Sequence, residues 1–134
     1  MKYLLDTHIL FWSMSDEKKL SEDVLSVIND PENEIYFSSA SVWEVVIKHS
    51  KNPENMPVNG REFMEACMKA GFITLPIRNN HVLAVDNLRR KEGEPPHNDP
   101  FDRLLIAQAK TEAMVFITHD RLLNGYGENC IMKI

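Results

Sequence analysis

Apolar and polar positions alternate along this chain in two rhythms. Lys2–Leu5, Glu34–Ser38, Phe72–Leu75 and Met114–Thr118 are short, mostly apolar runs. Such runs suit strands of a parallel sheet buried on both faces. Between them the apolar residues recur at helical spacing. Ile9–Met14 forms one such segment, and Glu22–Ile28 forms another behind a Ser21 cap, closed by Asp30-Pro31. Ser38-Ser39-Ala40-Ser41 leads into a third, which carries Val42, Trp43, Val45, Val46 and Ile47. Lys51–Val58, with its prolines and asparagines, reads as a loop. Gly60–Ala70 is a helix ended by Gly71, and Pro76 stops the third strand. Asn80–Lys91 predicts another helix, whose stripe of Val82, Leu83, Val85 and Leu88 suits the core or, less simply, a partner surface. Gly93-Glu94-Pro95-Pro96 cannot continue it. Cys130–Ile134 predicts an edge strand. Strands alternating with helices imply an α/β fold with a mostly parallel central sheet flanked by helices on both faces, in one domain over residues 1–134.

The stretch His97–Ala113 carries the sharpest signal. Asp99 suits an N-cap, Pro100 the first helical position, and Asp102 stands three residues after the cap. At 3.6 residues per turn, Phe101, Leu105, Ile106, Ala109 and Ala113 share one face. Asp102 falls inside that apolar arc, whereas Arg103 and Lys110 point away. A carboxylate turned toward a core needs compensation. Two readings stay open: a capping-box acid reaching back to the helix start, or a metal ligand.

Other acids bear on that choice. Asp6 and Asp120 each follow a strand, and open parallel sheets place ligands at the carboxyl ends of their strands. A helix that runs antiparallel to the sheet starts at the same edge, which brings Asp102 there. Glu44, at the start of the helix after the second strand, arrives there too. Glu44 has local alternatives: a capping box with Ser41, or an ion pair with Lys48 one turn on. Four carboxylates at one edge must either take up protons or bind cations. Oxygen donors select Mg²⁺ or Mn²⁺, and such a site suits phosphodiester hydrolysis. His8, His97 and His119 lie beside the acids, but no compact His/Cys set points to zinc. They are expected to support the acids or face solvent.

Composition changes the picture little. Hydrophobic residues at 43% and charged ones at 26% are ordinary for a soluble globular domain. No apolar run approaches the length of a membrane span, and Asp6 and His8 break up an apolar start that resembles a signal peptide only superficially. Cys67 and Cys130 sit in apolar contexts and are expected to be reduced thiols of a cytoplasmic protein. The net charge of −5 argues mildly against strong nucleic-acid affinity, although an acidic metal site would contribute to it.

LLDTHILFW, SSASVWEVVIK, HNDPFDRLLIAQA and FITHD, in that order, resemble the PIN-domain ribonucleases, and most of all the VapC-type toxins of bacterial and archaeal toxin–antitoxin pairs. The resemblance spans essentially the whole chain. It implies Asp6, Glu44, Asp102 and Asp120 as metal-binding catalytic acids, with Thr7, Asp99 and Thr118 in support. It also implies Mg²⁺- or Mn²⁺-dependent endonucleolytic cleavage of RNA, homodimerisation, and inhibition by a small antitoxin bound near the site.

The basic residues nearest the acids, Lys48, Lys51, Arg103 and Arg121, are candidates for RNA contact. The antitoxin is expected to place a Lys or Arg among the acids and an apolar helical face against Ile9, Leu10, Phe11 and Trp12. Two alternatives compete. A PIN-like module could assemble complexes without cleaving. An aspartyl-phosphate phosphatase would usually show a second acid two residues after Asp6, where this chain has His8.

Overall fold

The computed structural model describes residues 1–132. Its centre is a five-stranded sheet of β1 (Lys2–Leu5), β2 (Glu34–Ser38), β3 (Ile73–Leu75), β4 (Val115–Ile117) and β5 (Ile131–Met132). Every neighbouring pair is parallel, in the spatial order β3-β2-β1-β4-β5. The chain therefore winds outward from β1 in one direction and then resumes on its other side. The β1–β4 boundary is a topological switch point, where connections diverge and leave a crevice at the strand ends. The expected edge strand exists as β5, and its last two expected residues, 133 and 134, lie outside the described region.

Side-chain alternation along the central strands feeds two cores. Leu4 and Phe116 face one, with Leu88, Leu105, Ile106 and Ala109. Leu5, Phe37 and Ile117 face the other, with Ile9, Leu10, Val24, Phe63 and Cys67. The first core is covered by α5 (Asn79–Ala84) and α6 (Pro100–Thr111). The second is covered by α1 (Thr7–Ser15), α2 (Glu22–Asn29) and α4 (Gly60–Lys69), with α3 (Ser39–Lys51) crossing between them. Each fully buried Leu or Phe contributes about 1.5–3 kcal/mol, so the two cores carry most of the stability. Burial pushes the Cys67 thiol up to about 12, an inert core residue.

Three elements differ from expectation. First, α3 begins at Ser39 under a Ser38 cap, and Ser41 is not the cap. Ser41 is thus inside the helix, and Glu44 lies beyond the first turn. Second, the helix expected over Asn80–Lys91 stops at Ala84, with a tight turn at Val85–Asn87. Leu88 turns into the core, and Arg90 is held by the carbonyls of Pro95 and Leu122, which draws the backbone off the helical path. Of the apolar stripe, Leu88 is core and Val85 half-buried, while Val82 and Leu83 are 51% and 68% exposed. Third, α6 ends at Thr111, short of the expected Ala113, because Ala113 takes the left-handed conformation (φ 55°). The Met114 N–H then reaches back to the Ala109 carbonyl at 2.8 Å. No helix among the described residues is long and apolar enough to cross a membrane.

Candidate metal centre

Asp6 is placed by β1 and by the start of α1. Its backbone N–H donates to the Ile117 carbonyl of β4 at 2.9 Å, which stitches it to the switch point. The carboxylate caps α1: Oδ1 accepts from the Thr7 N–H at 2.7 Å. Oδ2 accepts from the Thr118 hydroxyl, also at 2.7 Å, and Thr118 Oγ1 in turn accepts from the Asp120 N–H at 3.1 Å. One hydroxyl therefore ties the acid after β1 to the acid after β4. Burial raises the Asp6 pKa, the two hydrogen bonds oppose that, and the charge of Glu44 adds to the rise.

Glu44 reaches this edge from α3. Its Oε1 accepts from the Thr7 hydroxyl at 2.7 Å, and Oε2 pairs with Lys48 at 2.8 Å. Of its two local alternatives, the Lys48 pair is present. The capping box is absent, because Ser41 is buried and 2.9 Å from Thr7 Oγ1. Burial on its own would lower the Lys48 pKa, but the bond to Glu44 and the charges of Glu44, Asp99 and Asp102 outweigh it and raise it.

Asp102 does not reach back to close a capping box. Asp99 alone caps α6, its Oδ1 accepting from the Phe101 and Asp102 N–H groups at 2.9 and 3.0 Å. The Asp102 carboxyl instead lies 3.2 Å from Nε2 of the buried His97. Burial and the charges of Asp6, Asp99, Glu44 and Asp120 push its pKa up to about 8. Nearby negative charge acts on this group from both flanking strands and from α3.

His97 Nδ1 lies 2.6 Å from the Tyr126 hydroxyl, which is also 3.2 Å from the His97 carbonyl. Burial lowers the His97 pKa, and the charge of Arg90 lowers it further. One ligand atom each from His97, Asp102 and Asp120 lie within 4.8 Å of one another. Asp120 is exposed and caps the turn Arg121–Tyr126 by accepting from the Leu122 N–H.

The remaining candidates divide. Arg121 lines a cavity of about 410 Å³ together with Asp6, His8, Trp12, His119 and Asp120. Arg103 is turned elsewhere: its guanidinium donates to the Tyr126 hydroxyl and the Val85 carbonyl, and it lines a groove with Trp43 and Val82. Lys51 lines a separate recess with Lys48, Asn52 and Met56. The expected apolar face Ile9–Trp12 is reduced. Ile9 and Leu10 are fully buried and Phe11 packs on Phe63, which leaves Trp12 to face the cavity.

Ser41 and Tyr126 were not signalled by the sequence. Both act through a single hydroxyl brought in from a distant segment. Only the buried position of a polar residue inside an apolar stretch could have pointed to Ser41.

The donor set can hold a hard divalent cation, since carboxylate oxygens predominate and ligand atoms of His97, Asp102 and Asp120 converge. The family model for the PIN domain matches residues 3–128. Three similar solved structures are VapBC2 from Rickettsia felis bound to a promoter DNA fragment, DNA-bound VapBC from Salmonella typhimurium, and VapBC-1 from nontypeable Haemophilus influenzae. The first shares 15% identity at a TM-score of 0.68, covering 98% of this chain and 96% of that one. The second shares 16% at 0.66, covering 98% and 97%. The third shares 21% at 0.58, covering 90% and 87%. No curated protein sequence matches the chain. With an all-parallel switch-point sheet, acids gathered at its open edge and a family match across nearly its whole length, this chain belongs to the PIN domain family.

Proposed function

We propose that this protein is a divalent-metal-dependent endoribonuclease and the toxin of a toxin–antitoxin pair. One observation carries the reading: four acids from separate segments converge at one edge of the sheet, with Asp102 and Asp120 ligand atoms within 4.8 Å of one another and Asp6 tied to Asp120 through Thr118 and to Glu44 through Thr7. Gathering like charges at one edge costs stability, so the cluster suits a cation that compensates it. Asp6, Glu44, Asp102 and Asp120 would hold Mg²⁺ or Mn²⁺. Such an ion, when bound, activates water and stabilises charge developing on a phosphodiester.

The protein's own groups do the positioning. Thr7 and Thr118 orient Asp6, Lys48 and Thr7 hold Glu44, and His97 holds Asp102. Asp99 serves as the helix cap. In this reading His97 is a positioning residue for Asp102.

Because the solved relatives are VapBC assemblies, an antitoxin partner that covers the acids is part of the reading, with a cationic side chain entering the cluster. A homodimer is part of it too. Trp43, Val46, Val82 and Leu83 are exposed, and Trp43 and Val82 share a groove of about 500 Å³. The protein is proposed to act in the cytoplasm.

The decisive experiment is cleavage of single-stranded RNA by purified protein with Mg²⁺ or Mn²⁺, and with EDTA. Wild type cuts only with metal. Asp102→Asn and Asp120→Asn fold but do not cut. Cleavage in EDTA, or undiminished cleavage by both variants, would refute the reading.

A further inference from the structure

We propose that Trp12, flanked by His8 and His119, is a stacking subsite for one unpaired nucleobase of the RNA beside the acidic centre. This rests on the ribonuclease reading and specifies how the substrate is held. Trp12 stands on α1, six residues after Asp6. Its ring lies 5.9 Å from that of His8, tilted by 36°, and 5.0 Å from that of His119, edge-on at 76°. His119 sits between Thr118 and Asp120, so both histidines border the acids in sequence as well as in space. The three rings and Asp6, Asp120 and Arg121 line the 410 Å³ cavity, which is larger than one base needs. Trp12, His119 and Arg121 continue into an adjoining recess of about 150 Å³ with Lys19 and Leu20. The Lys19 ammonium is 5.7 Å from the centre of the Trp12 ring.

The fold does not require this arrangement. His8 and His119 are exposed, and Trp12 is only half-buried at the rim of the second core. What the three rings offer is aromatic surface next to carboxylates that handle a phosphate, with Arg121 and Lys19 beyond for the next phosphates along. A single-stranded nucleic acid presents that combination, a π-face between anionic links. A duplex does not, because its bases are stacked on one another.

Charge points the same way. A chain of net charge −5 cannot rely on long-range attraction to the phosphate backbone. Stacking supplies affinity that salt does not screen.

The test is a double-mutant cycle between protein and substrate. Wild type, Trp12→Ala, Trp12→Leu and Trp12→Phe are assayed with Mg²⁺ on one cleavable single-stranded RNA. The same RNA is then made abasic at each position flanking the cut. Trp12→Ala and Trp12→Leu are expected to raise KM about tenfold with kcat within about twofold, the scale of one lost base–aromatic stack. Trp12→Phe restores most of the loss. One abasic position should cost wild type a similar factor and cost Trp12→Ala almost nothing further. Trp12→Leu keeps apolar bulk, so it carries the test should Trp12→Ala fold poorly.

Losses that simply multiply would overturn the subsite and leave the ribonuclease standing. So would an unchanged KM with weakened antitoxin binding, which would assign the ring to the protein partner. If wild type cuts no RNA with either metal, the ribonuclease reading fails and the subsite falls with it.

Discussion

Helix α6 carries a histidine–carboxylate pair at each end, and the two pairs behave differently. At its C-terminal end, His81 is fully buried and its Nε2 lies 2.8 Å from Glu112. Its Nδ1 accepts from the Arg78 N–H at 3.0 Å and lies 3.4 Å from the Gln108 amide nitrogen. The ring proton is therefore fixed on Nε2 and donated to Glu112. Gln108 also donates to the Pro76 carbonyl and accepts from Ser38, the residue that caps α3. Every atom has one assignment. At the N-terminal end, His97 meets Asp102 at 3.2 Å, and the hydroxyl on its other side can face either Nδ1 or the His97 carbonyl. No backbone N–H fixes this ring. Its acid, moreover, sits among other acids, whereas Glu112 is a third exposed. A histidine and a carboxylate make a closed structural joint in one place and a site among other acids in the other. The surroundings, not the pair, decide which.

Substitution of the two histidines should separate the roles most widely. His97→Ala is expected to lower metal-dependent cleavage by about 10–100-fold, the usual loss when a group supporting a ligand is removed, with a small change in thermal stability. If His97 were instead a ligand in its own right, the variant would lose metal binding altogether, which isothermal titration with Mn²⁺ would reveal. His81→Ala should do the reverse. It leaves buried Gln108 and Glu112 short of partners and opens a cavity, at a cost of about 3 kcal/mol in denaturant unfolding, with cleavage retained while the protein stays folded. Matching losses of activity in both variants would erase the distinction.

The pH dependence of the metal-free protein sharpens it further. Asp102 is raised from 3.8 to about 8 in the fold. Between those values the folded protein keeps a proton that the unfolded chain has released. This contribution to stability is present below about pH 4 and is lost as pH rises through about 8. The melting temperature in EDTA should therefore fall across that window, and Asp102→Asn should flatten the slope. Excess Mg²⁺ should raise the melting temperature more at pH 8 than at pH 6, because the ion favours the ionised carboxyl. A metal-free curve that rises toward pH 8 would contradict the assigned proton.

The smallest expected effect lies at the structural end. Ala113 holds a left-handed conformation next to Glu112. Ala113→Gly should relieve that strain and stabilise the fold by about 0.5–1 kcal/mol, with no change in cleavage. Destabilisation would mean that the Ala113 methyl contributes packing worth more than the strain.

Much of this molecule was legible in its residues. Short apolar strands between helical stretches implied the parallel α/β sheet. The Asp99-Pro100 start of α6 followed from local capping chemistry, and the acids after β1 and β4 followed from where parallel strands end. These features depend on periodicity and on contacts within a few residues, which a sequence displays directly. Tertiary structure alone decided the rest. Ser38, not Ser41, caps α3, because Ser41 is drawn into a hydrogen bond with Thr7 from a different element. Leu88 leaves the helix expected around it because the core claims it, and Arg103 turns to Tyr126 and Val85 instead of the acids. Above all, nothing in the spacing of His81 and Glu112, or of His97 and Asp102, distinguishes a joint from a site. That difference arises from an N–H and an amide on one ring, and from neighbouring carboxylates around the other. Those groups come from segments far apart in the chain, and only folding brings them within reach.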